Sequence, residues 1–293
     1  MRRIGFTGPS GFLGTQFQKS FEGKYDLLPL SVRYTDSKVN LEGVEAIIHF
    51  AGLAHQKERQ NPEKYFQANY ALTKSLADQA INQSVRQFIF ISTVKVFGDA
   101  PSPLSLETEP KFESPDPYGE SKLKAENYLN ALNSDMGINI IRIPLVYGAG
   151  VKANMLNLIK LCDSIMPLPF AKIRNKRSLL YSKNLMAFLE YSIENMSIGT
   201  FHLSDMPAIS TSELVRAIRT SLNRSPNLFA LPVMIQWVIK KLQPHKFDKL
   251  FGNLELNVEA SFKMLNYSNP YSFEEGVDEM TTWYLKQKNE SID

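Results

Sequence analysis

RIGFTGPSGFLG, Arg3–Gly14, decides the fold. Arg3–Phe6 reads as a short strand, and TGPSGFLG, Thr7–Gly14, follows it and opens a helical pattern over Gly11–Phe21. Glycines recur at Gly8, Gly11 and Gly14, with Ser10, Phe12 and Leu13 between them. Such a turn lets the backbone approach a pyrophosphate and points helix N–H groups at it. Three loosely spaced glycines carry little weight alone; their placement between a first strand and a first helix is what the chemistry demands.

Working outward, short apolar runs at Asp26–Val32, Ala46–Phe50, Gln87–Ser92 and Asn139–Ile143 alternate with helical patterns near Pro62–Asn82 and Tyr118–Ser134. Apolar strands alternating with helices imply an α/β, Rossmann-type doubly wound parallel sheet covered on both faces. Pro29 inside the second strand places that strand at a sheet edge. So little chain separates it from Ala46 that this side of the sheet is trimmed, with at most a stub near Val39–Leu41. After Gly150 the loops lengthen, and a strand–helix–strand pattern returns at Ser178–Leu203. The expected organisation is a dinucleotide-binding domain from residues 1–150 and 178–204, plus a smaller, mostly helical substrate lobe from 151–177 and 205–293.

Composition narrows the function classes. The chain has 293 residues, 43% hydrophobic and 22% charged, and a net charge of +3 that is too mild to argue for nucleic acid. One cysteine, Cys162, excludes an internal disulfide and fits a reducing, cytoplasmic setting. No signal peptide or transmembrane run is read, and the four scattered histidines suggest no metal site. LFALPVMIQWVIKKL, Leu228–Leu242, could rest on a membrane surface with Lys240 and Lys241 at its rim; packing inside the protein is the favoured reading.

A tyrosine and a lysine four apart occur at Tyr34/Lys38, Tyr70/Lys74, Tyr118/Lys122 and Tyr284/Lys288. Only Tyr118 and Lys122 begin a stripe that turns inward, with Ala125, Leu129 and Leu132. Tyr70 and Lys74 lie beside the buried stripe Phe66, Asn69, Thr73, Leu76, and Tyr284 is placed in a charged tail. A nearby ammonium favours a phenolate, so Tyr118 could take a proton from a sugar hydroxyl while hydride leaves the carbon. FIFISTVKVFG, Phe88–Gly98, ends a buried strand in hydroxyls, with Thr93 at the carboxyl edge where open α/β sheets bind ligands. After the second strand stand Ser31, Val32 and Arg33 where an NAD site usually has an acid; this leans toward the 2′-phosphate of NADP and leaves NAD open.

With these motifs the chain resembles the extended short-chain dehydrogenases/reductases that modify nucleotide sugars. The resemblance implies catalysis by Thr93, Tyr118 and Lys122, with Lys122 also on the nicotinamide ribose. HFAGLAH, His49–His55, looks like the strand end that lines the cofactor through Phe50, Ala51 and Gly52. Asn69 matches a buried helix asparagine near the family's active site, and a satisfied core role is an equal reading. RIPLVYGAGVKANM, Arg142–Met155, and NKRSLLYSKNL, Asn175–Leu185, resemble members acting on UDP-N-acetylhexosamines. That likeness implies substrate contacts from Asn154 and Arg177; a planar guanidinium also suits phosphate oxygens on physical grounds. Lys95 either touches substrate or is solvated. A homodimer through the Pro62–Asn82 and Tyr118–Ser134 helices is implied by the resemblance alone.

Val94 and Lys95 stand where the family's dehydratases carry Asp-Glu, which argues against dehydration. A UDP-sugar 4-epimerase is expected, with an NADPH-dependent 4-ketoreductase as the alternative. Phe97 in place of the usual tyrosine, with the trimmed adenine side, also admits a non-catalytic dinucleotide-sensing protein.

Overall fold

The computed structural model describes residues 1–32, 38–53, 61–242, 247–248 and 251–290. Strands β1 (Arg3–Thr7), β2 (Asp26–Leu30), β3 (Val44–His49), β4 (Gln87–Thr93) and β5 (Gly137–Ile143) join a later strand, Gly199–His202, in a six-stranded sheet. Every pairing in it is parallel, in the order β2-β1-β3-β4-β5 and then Gly199–His202. Parallel strands need crossovers, and helices α1 (Phe12–Phe21), α2 (Pro62–Tyr65), α3 (Leu72–Asn82) and α4 (Pro117–Asn130) supply them. A π-helical turn, Phe66–Ala71, links α2 to α3, and a 3₁₀ turn, Val94–Phe97, follows β4.

The central strand β4 shows why the sheet is covered twice. All seven of its residues are buried. Ile89 and Ile91 face a core shared with Phe17 and Phe21 of α1, while Phe88 and Phe90 face one shared with Leu76, Ala77, Ala125 and Leu129 of α3 and α4. A period of two thus feeds both faces from one apolar run. β2 lies at the edge with Pro29 in it, as its sequence requires. Beyond it, Val39 and Leu41 are irregular. Their N–H groups donate to Oε1 of Gln79 and of Gln83 at 3.0 and 2.9 Å, so amides from α3 and its C-cap stand in for a missing strand. Arg33 and His55 lie outside the described residues.

Past β5 the expected strand–helix–strand unit forms over Leu179–His202, but its first strand does not join the main sheet. Pro144 has no N–H to extend the ladder, and β6 (Leu145–Tyr147) peels away. β7 (Leu179–Tyr181) then pairs with β6 in a separate two-stranded sheet instead of the main one. α5 (Ala153–Cys162) precedes β7, and α6 (Ser182–Glu194) packs Phe188 and Leu189 against the α1 face. β8 (Gly199–His202) completes the main sheet beside β5. A second core forms from α5, α7 (Thr211–Ser221) and the last helix, Phe273–Glu290.

Two expectations are corrected. α8 (Val233–Leu242) is not packed inside the protein: its described side chains are all exposed, and none joins a core cluster. Nor is Tyr284 merely part of a charged tail. After α9 (Glu259–Leu265), helix α10 (Phe273–Glu290) buries Tyr284, whose hydroxyl donates to Asp163 Oδ2 at 3.1 Å; Lys288 reaches the same oxygen at 2.5 Å.

Candidate active site

Because every strand of the main sheet is parallel, the carboxyl ends of β1, β3, β4 and β5 open on one edge. The chain winds outward from β1 to β2 and then reverses to β3, so the switch point lies between β1 and β3. Ligands of open α/β sheets bind at that crevice.

Gly8 holds φ +69°, a left-handed conformation that favours glycine. A Cβ on Gly14 would lie 2.1 Å from the Gly8 carbonyl oxygen, so helix and turn touch through bare backbone. Gly11 is the N-cap of α1 and brings no side chain to the helix's first N–H groups. The turn therefore fits a pyrophosphate by shape and by donor direction. Ser10 and Gly11 are exposed there, and Phe12 and Leu13 are half-buried.

His49 fixes the opposite wall. The Ala51 N–H donates to Thr7 Oγ1 at 2.9 Å, so the Thr7 hydroxyl is directed to His49 Nδ1 at 2.8 Å. Thr73 Oγ1 donates to the Asn69 carbonyl at 2.7 Å and so receives the proton of His49 Nε2 at 3.0 Å. The relay assigns a neutral imidazole protonated on Nε2, and burial, aided by Lys122, pushes its pKa down to about 3. It ties the ends of β1 and β3 to the π-helical turn. Asn69, fully buried in that turn, accepts from Leu53 N at 2.7 Å. Its amide donates to Leu53 O at 3.1 Å and to Ser121 Oγ at 3.0 Å. Both donors are thus used inside the protein, which joins Phe50–Leu53 to the first turn of α4.

Asp116 caps α4 by accepting from Gly119 N at 3.1 Å, with Pro117 at the first turn. Tyr118 and Lys122 follow on the inward face. The Tyr118 phenol is hydrogen-bonded to the Thr93 side chain. Burial pushes this phenol above its ordinary value, and the Thr93 bond opposes the rise. The expected pull of Lys122 on the phenol gives way to burial, with the Asp116 charge adding to the rise. Lys122 Nζ donates to the Ile91 carbonyl at 2.9 Å and lies 4.3 Å over the Phe90 ring. Burial lowers it to about 8, with Glu126 acting the other way. A Cβ on Gly52 would stand 2.8 Å from Asn69 Oδ1 and 3.4 Å from Lys122 Nζ. Thr93, Tyr118, Lys122, Asn69 and Gly52 therefore converge at one end of the crevice.

The other sequence candidates are more dispersed. Lys95 lies in the 3₁₀ turn, its N–H donating to Thr93 Oγ1 at 3.2 Å. Asn154 is exposed in the first turn of α5. Arg177 Nη1 donates to the Gly252 carbonyl at 3.0 Å, and burial lowers its pKa. Cys162 is buried and pushed up to about 12, which leaves it an inert thiol.

Sequence reading missed one cluster. Glu126, one turn after Lys122, is buried and receives the Ser92 hydroxyl. It also receives Arg142 Nε and Nη2 at 3.0 and 2.7 Å. The Arg142 guanidinium lies 4.9 Å over the Phe97 ring, the position where a tyrosine was expected. An acid on the inward face of α4, one turn past Lys122, was the available signal.

Comparison with known proteins agrees with this geometry. A model of the NAD dependent epimerase/dehydratase family matches residues 6–200. A Vibrio cholerae protein named UDP-glucose 4-epimerase is 32% identical, covering 98% of this chain and 97% of its own. The solved UDP-N-acetylglucosamine 4-epimerase from Bacillus cereus superposes with a TM-score of 0.75 at 21% identity, covering 96% of each chain. RMD from Pseudomonas aeruginosa, solved with NADPH, gives 0.76 at 16% identity, covering 98% of this chain and all of its own (100%). With the switch-point turn, the relay behind it and the Thr93–Tyr118–Lys122 convergence in place, the chain belongs to the NAD-dependent epimerase/dehydratase family, among the extended short-chain dehydrogenases/reductases that act on nucleotide sugars.

Proposed function

We propose that the protein is an NAD(P)-dependent UDP-sugar 4-epimerase. The observation that carries this reading is the Thr93–Tyr118 hydroxyl pair beside buried Lys122, at the carboxyl edge of a sheet whose first turn is shaped for a pyrophosphate. The Vibrio cholerae relative's name supports the UDP-sugar and the C4 position.

Gly8, Ser10, Gly11, Phe12, Leu13 and Gly14 hold the dinucleotide pyrophosphate, and Phe50, Ala51 and Gly52 line the route to Lys122. The bound dinucleotide supplies the acceptor and donor of hydride at the sugar's C4. Tyr118 takes the proton of the 4-hydroxyl and returns it after the keto sugar has turned over, with Thr93 holding the same oxygen. Lys122 keeps an ammonium beside the reaction at neutral pH, since its lowered pKa of about 8 still lies above that pH. Lys95, Asn154 and Arg177 meet the sugar and diphosphate, and residues 151–177 and 205–293 form the substrate lobe. Two copies associate through the helices of Pro62–Asn82 and Tyr118–Ser134.

The test is incubation with UDP-glucose and, separately, UDP-N-acetylglucosamine, followed by proton NMR. Interconversion of C4 epimers without net change in reduced nicotinamide is expected. Tyr118→Phe should lower the rate by about 10²–10⁴-fold. Stoichiometric loss of NADPH on a 4-keto-6-deoxy sugar nucleotide, with no interconversion of epimers, would replace this reading with the 4-ketoreductase.

A further inference from the structure

Among the described residues, half of the exposed large hydrophobic side chains gather in two short stretches. Ile165 is 85% exposed and Met166 is exposed with it; Phe229, Met234 (81%), Ile235, Trp237 (63%) and Leu242 (73%) follow in the second stretch. The stretches meet in space. Leu168 bridges Leu228, Phe229 N donates to Leu168 O at 2.9 Å, and Ala171 N donates to Phe229 O at 3.1 Å. Pro232 then starts α8, where Trp237, Met234, Leu242 and Ile235 fall on one broad arc of the helix. An exposed apolar face of this extent marks an interaction surface.

The two stretches that carry it are themselves free of acidic residues. No Asp or Glu occurs from Ser164 to Leu189 or from Ser225 to Phe247. Lys172, Arg174 and Lys176 are exposed, alternating with buried Ile173 and Asn175, so the segment after Ala171 presents a basic edge, whose last member Lys176 reaches Glu255 at 3.3 Å. Lys240 and Lys241 end α8, with Lys241 Nζ 5.2 Å over the Trp237 ring. A net charge of only +3 for the whole chain makes this a local concentration.

We infer that α8, with Ile165, Met166 and Phe229, docks the protein on an anionic lipid bilayer. Apolar side chains enter the acyl boundary, Trp237 sits at headgroup level, and the lysines meet anionic headgroups. A helix of ten residues is too short to cross the bilayer and lies in its plane. The same segment carries Arg177, so docking brings the proposed diphosphate site close to the membrane surface. Docking stands or falls independently of the epimerase reading, because its readout is binding.

The experiment is co-sedimentation of the full chain with vesicles of equimolar phosphatidylcholine and phosphatidylglycerol, against vesicles of phosphatidylcholine alone. Binding to the anionic vesicles is expected, and high salt should weaken it. Met234→Ser with Trp237→Ser should lower the bound fraction by about tenfold or more. Lys240→Ala with Lys241→Ala should weaken partitioning by about thirtyfold at low salt. All four side chains are exposed, so the circular dichroism spectrum should not change. Failure to pellet with anionic vesicles, or equal pelleting with both kinds, overturns the inference. So does a serine pair that lowers the sedimentation coefficient of the lipid-free protein, since the face would then be covered by a second copy.

Discussion

A buried charged cluster holds Thr93 and Lys122 in register, and it has a definite physical cost. Glu126 and Arg142 form a bidentate pair that is almost entirely out of water, with Ser92 as a third partner. Ser92 precedes Thr93 on β4, and Glu126 follows Lys122 by one turn on α4, so the pair sets the distance between the hydroxyl and the ammonium. Removing one partner strands the other charge in a low-dielectric site. Glu126→Ala should therefore cost about 3–5 kcal/mol in urea unfolding. Glu126→Leu with Arg142→Met should regain more than half of that loss, since apolar replacement of a buried pair is often neutral. A single variant as stable as the parent would show the pair to be dispensable. At this scale Tyr118 and Lys122 were legible because their stripe turns inward. Thr73 was legible only as a member of a buried stripe, and the roles of Thr7, Thr73 and Ser121 were not, because a short hydroxyl side chain gains its role only from a distant partner.

At the scale of elements, the turn between β1 and α1 is the most constrained. Its geometry depends on glycine at two positions for different reasons: Gly8 for its left-handed backbone, Gly14 for contact with the Gly8 oxygen. Gly11 is less demanding, since a Cβ there would meet the Gly8 oxygen at 3.2 Å. Gly14→Ala should accordingly weaken dinucleotide binding by about tenfold or more, and Gly11→Ala by less, as read by calorimetric titration. Equal affinities in both variants would show that the turn shifts freely. The parallel strands and their helices were readable because each apolar run carries its period with it. Pro29 even located the edge. The pairing of β7 with β6 was not readable, because partner choice followed from Pro144 ending one ladder. α8 was misread for a related reason: an apolar helix pattern specifies burial without saying against what.

Across the whole molecule, two imidazoles are folded into cores as neutral groups. Burial lowers His49, on β3, to about 3, and lowers His202, on β8, to about 4, where its Nδ1 donates to the Asn257 carbonyl at 3.1 Å. Both lie below the unfolded value of 6.5, so on acidification the unfolded chain takes up protons that the fold refuses. Stability is thus fully present above pH 6.5 and falls as pH drops toward the folded values. Each imidazole should cost about 2 kcal/mol between pH 6.5 and about 5. Carboxylates such as Asp163, held below their ordinary range by Lys288, Arg224 and Tyr284 against the effect of burial, add their loss only at lower pH. Asp205 opposes the trend, because burial raises its carboxyl and the fold binds that proton first. Urea unfolding at neutral pH and near pH 5 measures the sum, and His202→Asn should remove about half of the histidine contribution. His49→Asn should remove the other half while also lowering stability at neutral pH, since it breaks the relay from Thr7 to Thr73. An unchanged pH slope in both variants would mean that the imidazoles gain protons without the fold opening, and that β3 and β8 are not sealed from water.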